Sequence, residues 1–291
     1  MAGITVENVS FVYSAGTPFA VDALSNVSFE IASGKITGII GRTGSGKSTL
    51  VQMFNGLVKP TSGRILLDGK DIWEGGKKMQ GLNFKVGLVM QYPEYQLFEE
   101  TVKKDIAFGP RNMNLSEDEI EERIAFGVKF CNIDESLLEK SPFDLSGGQK
   151  RRVAIAGVMA MKPDVLVLDE PAAGLDPVGR EEIFEGIRAF QRNTGTTVII
   201  VSHSMEDMAK YCDENVVLYG GKLFASGTRE SIFSMEDKLT EIGLSIPEIT
   251  TLVHVLRERG FPIEGEFYTV EEAAAAIAEI LKKKITKVDF K

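Results

Sequence analysis

The sequence predicts an α/β fold built around a parallel sheet. Three observations predict it. Short apolar runs such as KITGII, KVGLVM, VLVLD and TTVIIV have the length and composition of buried strands. Stretches with apolar residues at helical spacing separate them. The front of the chain instead carries β-type segments with partial alternation, which suit an antiparallel pair.

Taken in order, ITVENVSFVY and LSNVSFEI read as that pair, separated by AGTP and the residues after it. KITGIIG is a buried strand ending in glycine. STLVQMFNGL follows as a helix, with Leu50, Phe54 and Leu57 on one face and Gly56 near its end. RILLDGKDI is a hairpin turning at Asp68 and Gly69. KVGLVMQ is a further core strand, after which the character turns helical from about residue 92 to 162. There, Ser116 and Glu119 form a capping-box pattern before Ile120, Ile124 and Val128. A second helix runs from about Gly147 to Met161 and stops at Pro163. DVLVLDE and TTVIIVSH are strands flanking a helix with Ile183, Ile187 and Phe190 on one face. ENVVLYGGKLFASG is a hairpin on Gly220 and Gly221. This gives a first domain over residues 1–226 and a C-terminal extension over residues 227–291. In the extension, TVEEAAAAIAEILKKK is a helix with Thr269 as its cap, acids at its start and lysines at its end.

Composition excludes several functions. The chain has 291 residues, 43% of them hydrophobic, and a net charge of −9. A sizeable core follows, and a general basic face for nucleic acid does not. Cys131 and Cys212 are the only cysteines, too few for a disulfide framework or a four-cysteine zinc site. MAGITVENVSF lacks the pattern of a secretory signal. No apolar run approaches the roughly 20 residues that span a bilayer. Membrane association is therefore expected to go through partners.

The chemistry begins at GRTGSGKST, residues 41–49, which fits G-x-x-x-x-G-K-[ST]. Gly41, Arg42, Thr43, Gly44, Ser45, Gly46, Lys47, Ser48 and Thr49 lie between a strand and a helix, as a phosphate-binding loop requires. Glycines let successive N–H groups face phosphate oxygens, and the helix start adds its positive end. Lys47 brings a charge to the β and γ phosphates, and Ser48 a hydroxyl for Mg²⁺. Asp169 and Glu170 end the strand VLVLD at the edge where open α/β sheets bind ligands. Asp169 would hold Mg²⁺ through water; Glu170 would orient or deprotonate the attacking water. His203 ends a third strand and can hydrogen-bond a γ-phosphate. Gln91 ends a fourth, where its amide can touch Mg²⁺ or the attacking water and swing away. His254 has no motif around it and reads as an ordinary surface or core histidine.

DLSGGQKRR, residues 144–152, resembles a second phosphate site at a helix start. The chain already has one, so Ser146, Gly147, Gly148 and Gln149 are expected to meet a nucleotide held by another subunit. With GRTGSGKST, Gln91, LSGGQ, VLVLDE, the GLDP turn at residues 174–177 and His203 in this order, the chain resembles an ABC-type ATPase subunit over about residues 4–225. The resemblance implies a P-loop NTPase core with an antiparallel β subdomain and a helical subdomain. It also implies Mg²⁺-dependent ATP hydrolysis in a dimer that sandwiches two ATP. Tyr13 matches the residue stacking on adenine, and Asp176 the dimer-contact aspartate. No catalytic position departs from the pattern.

A finer resemblance lies in QYPEYQLFEETVKKDIAFGPRN, and in LSIPEITTLVHVLRERGF with TVEEAAAAI. These segments are similar to those of energy-coupling factor (ECF) transporter ATPases, which energise vitamin or metal-ion import. That implies a second, homologous ATPase, a heterodimer being favoured over a homodimer. It further implies a transmembrane coupling protein, a membrane substrate-binding protein, and a peripheral position on the cytoplasmic face of the cell membrane. The extension would contribute dimer contacts. An ordinary importer ATPase is disfavoured by the helical extension. An ABC ATPase acting on nucleic acid or the ribosome is disfavoured by the single cassette, the acidic balance and the absence of a heptad run. Nucleic acid is not expected as a partner. Tyr95 and Phe98 are expected near the groove that receives the coupling protein's helices.

Overall fold

Period-two alternation is absent from the predicted core strands, so both of their faces must be covered. The computed structural model, which describes residues 2–288 and side chains to residue 282, shows how. Met1, residues 289–291 and the side chains of Lys283 and Lys284, expected at the end of the last helix, lie outside the described residues.

The strands are β1 (Ile4–Tyr13), β2 (Val21–Ile31), β3 (Ile36–Ile40), β4 (Ser62–Leu67), β5 (Lys70–Asp71), β6 (Val86–Val89), β7 (Val165–Asp169), β8 (Thr197–Val201), β9 (Glu214–Tyr219) and β10 (Lys222–Thr228). A six-stranded sheet has the order β10-β9-β3-β8-β7-β6, parallel throughout except for β10 at its edge. A second sheet, β2-β1-β4-β5, is antiparallel. Asp68 and Gly69, and likewise Gly220 and Gly221, have positive φ, as two-residue hairpin turns of type I′ require.

The helices are α1 (Lys47–Phe54), α2 (Leu82–Lys85), α3 (Val102–Asn112), α4 (Glu117–Phe130), α5 (Gly147–Ala160), α6 (Pro177–Thr194), α7 (Met205–Tyr211), α8 (Arg229–Phe233), α9 (Glu236–Glu241), α10 (Glu248–Glu258) and α11 (Val270–Val288). Ser116 and Glu119 form the expected capping box on α4, and Ser146 with Gln149 forms another on α5. The sequence reading missed α3. That helix lies in the stretch read only as helical in character; Thr101 caps it by accepting from Lys104 N, and Pro110 lies in its last turn.

Alternate side chains of each core strand point to opposite faces. Ile40, Leu166, Leu168, Val198 and Ile200 join one buried cluster with α3 to α9. Ile39, Val165, Val167, Ile199 and Val201 join another with α1 and the antiparallel sheet. The first cluster continues into the extension through Ile232, Phe233, Leu239, Ile242, Ile246 and Tyr268. Farther on, Val253, Ile263 and Ala273 form a small cluster of their own.

His254, on α10, staples this outer part. Nδ1 lies 2.9 Å from Glu236 Oε2 on α9, and Nε2 lies 3.0 Å from Glu266 Oε2. Carboxylates only accept, so the ring is held as an imidazolium. Burial lowers its pKa, but the hydrogen bonds and charges of Glu266 and Glu236 outweigh burial and raise it. A raised histidine pKa stabilises the fold fully below about pH 6.5 and ceases to as pH rises through the folded-state value. Raising the pH across that window lowers the melting temperature more in the wild type than in His254→Gln. Thermal denaturation at a series of pH values checks this; parallel curves for the two proteins would contradict it.

Candidate functional site

Adjacent parallel strands deliver the residues that follow them to one edge of a sheet. Here β3, β8, β7 and β6 are neighbours in that order. The phosphate loop, His203, Asp169 with Glu170, and Gln91 therefore emerge side by side. They enclose a cavity of about 700 Å³, lined by Gly41, Arg42, Thr43, Gly44, Gly46, Lys47, Ser48, Thr49, Gln91, Asp169, Glu170 and His203.

The loop is shaped for an anion. Gly41 has φ +157°, and a Cβ there would lie 2.4 Å from the Leu218 carbonyl oxygen. Gly46 caps α1 without any side chain, unlike the Thr101, Ser116, Ser146, Asp176, Ser204 and Thr228 caps elsewhere. The first N–H groups of α1 are thus left for a ligand. Ser45 Oγ is buried beneath the loop with no hydrogen-bond partner. Lys47 Nζ donates to the carbonyls of Gly41 (2.6 Å) and Arg42 (3.0 Å).

Charges of both signs meet in the cavity, Arg42 and Lys47 with Asp169 and Glu170. Burial pushes the Asp169 carboxyl up; the hydrogen bond with Ser48 opposes this, the Glu170 charge adds to it, and Lys47 opposes it. Burial likewise lowers the Lys47 pKa, against the pull of Glu170 and Asp169. A buried carboxylate with a hydroxyl and an amide nearby is a hard oxygen set of the kind that holds Mg²⁺ together with substrate phosphates and water. Among the described residues no cluster of three or more His, Cys, Asp or Glu side chains could hold a metal alone.

Glu170 has φ +51°, a left-handed conformation that its surroundings hold. Its N–H donates to the Val201 carbonyl at 2.9 Å, and its carbonyl accepts from Arg151 Nη2 at 3.0 Å. Its Oε1 lies 2.9 Å from His203 Nδ1. The other Arg151 amine donates to the Ala173 carbonyl. Arg151 belongs to α5, the helix that begins at LSGGQ, so that helix is tied to the carboxylate turn of its own chain. Burial pushes the Arg151 pKa down, with Glu94 and Tyr92 opposing. Sequence reasoning missed this role, which only the tertiary approach of α5 to β7 creates.

Other candidate residues lie outside the cavity. Tyr13 is exposed, donates or accepts at 3.0 Å with Thr49 Oγ1, and meets Phe11 edge-on at 4.8 Å. Ser146, Gly147, Gly148 and Gln149 form the exposed start of α5, and a Cβ on either glycine would meet open space. Asp176 caps α6 through Gly179 N at 2.7 Å. Met205, Gly243, Leu244 and Ser245 also line the cavity, and the sequence reading did not find them. The last three come from the C-terminal extension, and no motif marks them.

Beside Gln91 lies a groove of about 670 Å³ between β6, α3 and α5. Leu57, Phe98 and Phe108 expose apolar surface there, with the last two rings edge-to-face at 4.9 Å. Asp105 fixes the segment by accepting from Phe98 N and Glu99 N. Tyr95, on the 3₁₀ turn Pro93–Gln96, is 84% exposed.

A family model described as ABC transporter matches residues 24–173. The chain is 51% identical over 280 residues to the energy-coupling factor transporter ATP-binding protein EcfA2 of Clostridium acetobutylicum, covering 96% of this chain and 98% of that protein. Among solved structures it resembles cbiO1 of Clostridium perfringens, part of the ABC transporter complex cbiONQ, with a TM-score of 0.72 and 41% identity over 86% of this chain and 98% of that one. It also resembles the dimeric ATP-binding cassette MJ0796 in a post-hydrolysis state with ADP and Pi, with a TM-score of 0.68 and 27% identity over 78% of this chain and 98% of that one. The chain therefore belongs to the ABC transporter ATPases and, within them, to the ATP-binding proteins of energy-coupling factor transporters, whose ATP hydrolysis is coupled to transport across a membrane.

Proposed function

We propose that the chain provides one half of each of two composite ATP sites in a heterodimer with a homologous ATPase, energising uptake of a vitamin or metal ion. The observation that carries this reading is a separation. Four adjacent strand ends gather one set of phosphate-binding and catalytic groups, while LSGGQ lies outside that cavity on an exposed helix start. A site that needs both is complete only between two chains.

In this reading the loop and α1 hold the phosphates, Lys47 neutralises their charge, and Tyr13 stacks on adenine. Glu170 takes the proton of the attacking water and His203 contacts the γ-phosphate. Mg²⁺, held by Ser48, Asp169 and Gln91, would neutralise charge on the β and γ phosphates. Asp176 and the extension over residues 227–291 would meet the second ATPase. Arg151 makes the LSGGQ helix respond to the Glu170 turn.

Among the described residues no helix is long and apolar enough to cross a membrane. Residence at the cytoplasmic face then depends on a transmembrane coupling protein, which works with a membrane substrate-binding protein. The groove beside Gln91 suits the coupling protein's helices, since exposed Phe98 and Phe108 offer aromatic anchors in it and exposed Tyr95 precedes its Gln96–Phe98 wall in sequence. Affinity purification from detergent-solubilised membranes recovers the second ATPase and a polytopic membrane protein. Recovery with ribosomes or DNA and no membrane protein would sink this reading. Truncating an aromatic anchor costs an interface about 2 kcal/mol. Tyr95→Ser with Phe98→Ser therefore keeps ATP hydrolysis but loses substrate uptake in reconstituted vesicles; full coupling would assign these side chains to packing alone.

A further inference from the structure

The C-terminal extension reaches the nucleotide cavity through one short segment, Ile242 to Ile246. Its ends are fixed, because Ile242 and Ile246 are buried in the core cluster shared with the main sheet. Its start is a helix stop. Gly243 N donates to the Thr240 carbonyl and Leu244 N to the Leu239 carbonyl, both at 2.9 Å. That pair of bonds is the Schellman arrangement, which needs a left-handed residue after the cap, and Gly243 has φ +73°. Between the two anchors, Gly243, Leu244 and Ser245 line the cavity.

Gly243 is also a seat. A Cβ there would lie 2.8 Å from Arg42 Nη1 and 3.3 Å from Arg42 Cδ and Cζ. The Arg42 side chain thus lies against the backbone of the extension, in contact with a residue whose left-handed φ favours glycine and whose side chain, if it had one, would push the guanidinium aside. Arg42 lines the same cavity and has no carboxylate partner among the described residues. A guanidinium is planar and always charged, and it binds phosphate oxygens through paired donors. Arg42 and the segment share the cavity with Gln91, Glu170 and His203, whereas Tyr13 stands outside it. The Arg42 carbonyl also accepts from Lys47 Nζ at 3.0 Å, and Lys47 is the group assigned above to the β and γ phosphates.

We propose that the C-terminal extension is a working wall of the nucleotide site: Gly243 seats Arg42 so that its guanidinium engages the terminal phosphate of a nucleoside triphosphate. The proposal rests on the nucleotide-site reading above. Arg42 is the binding residue and Gly243 the positioning residue. By linkage, whatever shifts the extension shifts triphosphate affinity, and triphosphate binding in turn seats the extension.

A double-mutant cycle on the full-length chain tests this, with ATP and ADP each displacing a fluorescent ATP analogue. Losing one guanidinium–phosphate contact lowers ATP affinity about tenfold in Arg42→Ala. ADP affinity falls far less. Gly243→Ala gives the same selective loss, and the double variant is no worse than either single one, because both act through one contact. Equal losses for ATP and ADP, additive losses, or unchanged ATP affinity would each overturn the proposal. If Gly243→Ala does not fold, the ATP-to-ADP ratio of Arg42→Ala, at an exposed position, still decides. A wild-type chain that binds no ATP, or a Lys47→Ala chain that binds it normally, would instead remove the nucleotide-site reading itself.

Discussion

Glu170→Gln keeps ATP binding and lowers turnover by about 10²–10⁴-fold, the usual contribution of a general base. The amide matches the carboxylate in shape, so the left-handed backbone, its hydrogen bond to Val201 and the contact with Arg151 all persist. What disappears is the ability to take a proton at Oε1, the atom now 2.9 Å from His203 Nδ1. ATP is bound but not cleaved, so on the proposed two-chain reading the dimer is expected to stay closed around it. Steady-state hydrolysis in the assembled complex, with size-exclusion chromatography in ATP, measures both effects. A wild-type rate would dismiss Glu170 as the base.

Lys47→Ala acts on binding instead. An ammonium meeting phosphate oxygens makes charge-assisted hydrogen bonds of about 1.5–3 kcal/mol each, so affinity falls at least about tenfold. Stability moves the other way. Burial lowers the Lys47 pKa, so the folded chain without nucleotide holds this cation at a cost. Its removal leaves the nucleotide-free melting temperature unchanged or higher, and abolishes the rise that ATP brings to the wild type. Calorimetric titration and thermal shift measure the two parts. Wild-type affinity for ATP would contradict the role of Lys47.

What could be read from the sequence followed from local pattern. GRTGSGKST, Gln91, VLVLDE and His203 each end a strand-like run, and a parallel sheet brings such ends to one edge without further information. Ser116 with Glu119 marked a helix start because the capping box spans only four residues. Contacts between distant segments left no such trace. Arg151 reaches the Glu170 carbonyl only once α5 packs beside β7. Gly243 faces Arg42 only because Ile242 and Ile246 anchor the extension. His254 read as an ordinary histidine, since the two glutamates that grip it come from separate elements. The helix α3 fell within a stretch read as helical in character but was not delimited, and its Thr101 cap was not noticed.

The continuity of the core across residue 226 has a consequence for how the chain can be cut. Sequence character changes at that point, which invites trimming to a minimal cassette. Yet Ile232, Phe233, Leu239, Ile242 and Ile246 cover the same apolar surface as Leu168 and Ile200. Burial of such side chains contributes about 1.5–3 kcal/mol each. Five of them together rival the net stability of a whole domain, about 5–15 kcal/mol. A chain ending at residue 226 would therefore expose a greasy scar and aggregate, while one ending after Ile246 would keep these five side chains and lose, with the outer helices, only Tyr268 from the cluster. Swapping cassettes between transporters should respect the second joint, not the first.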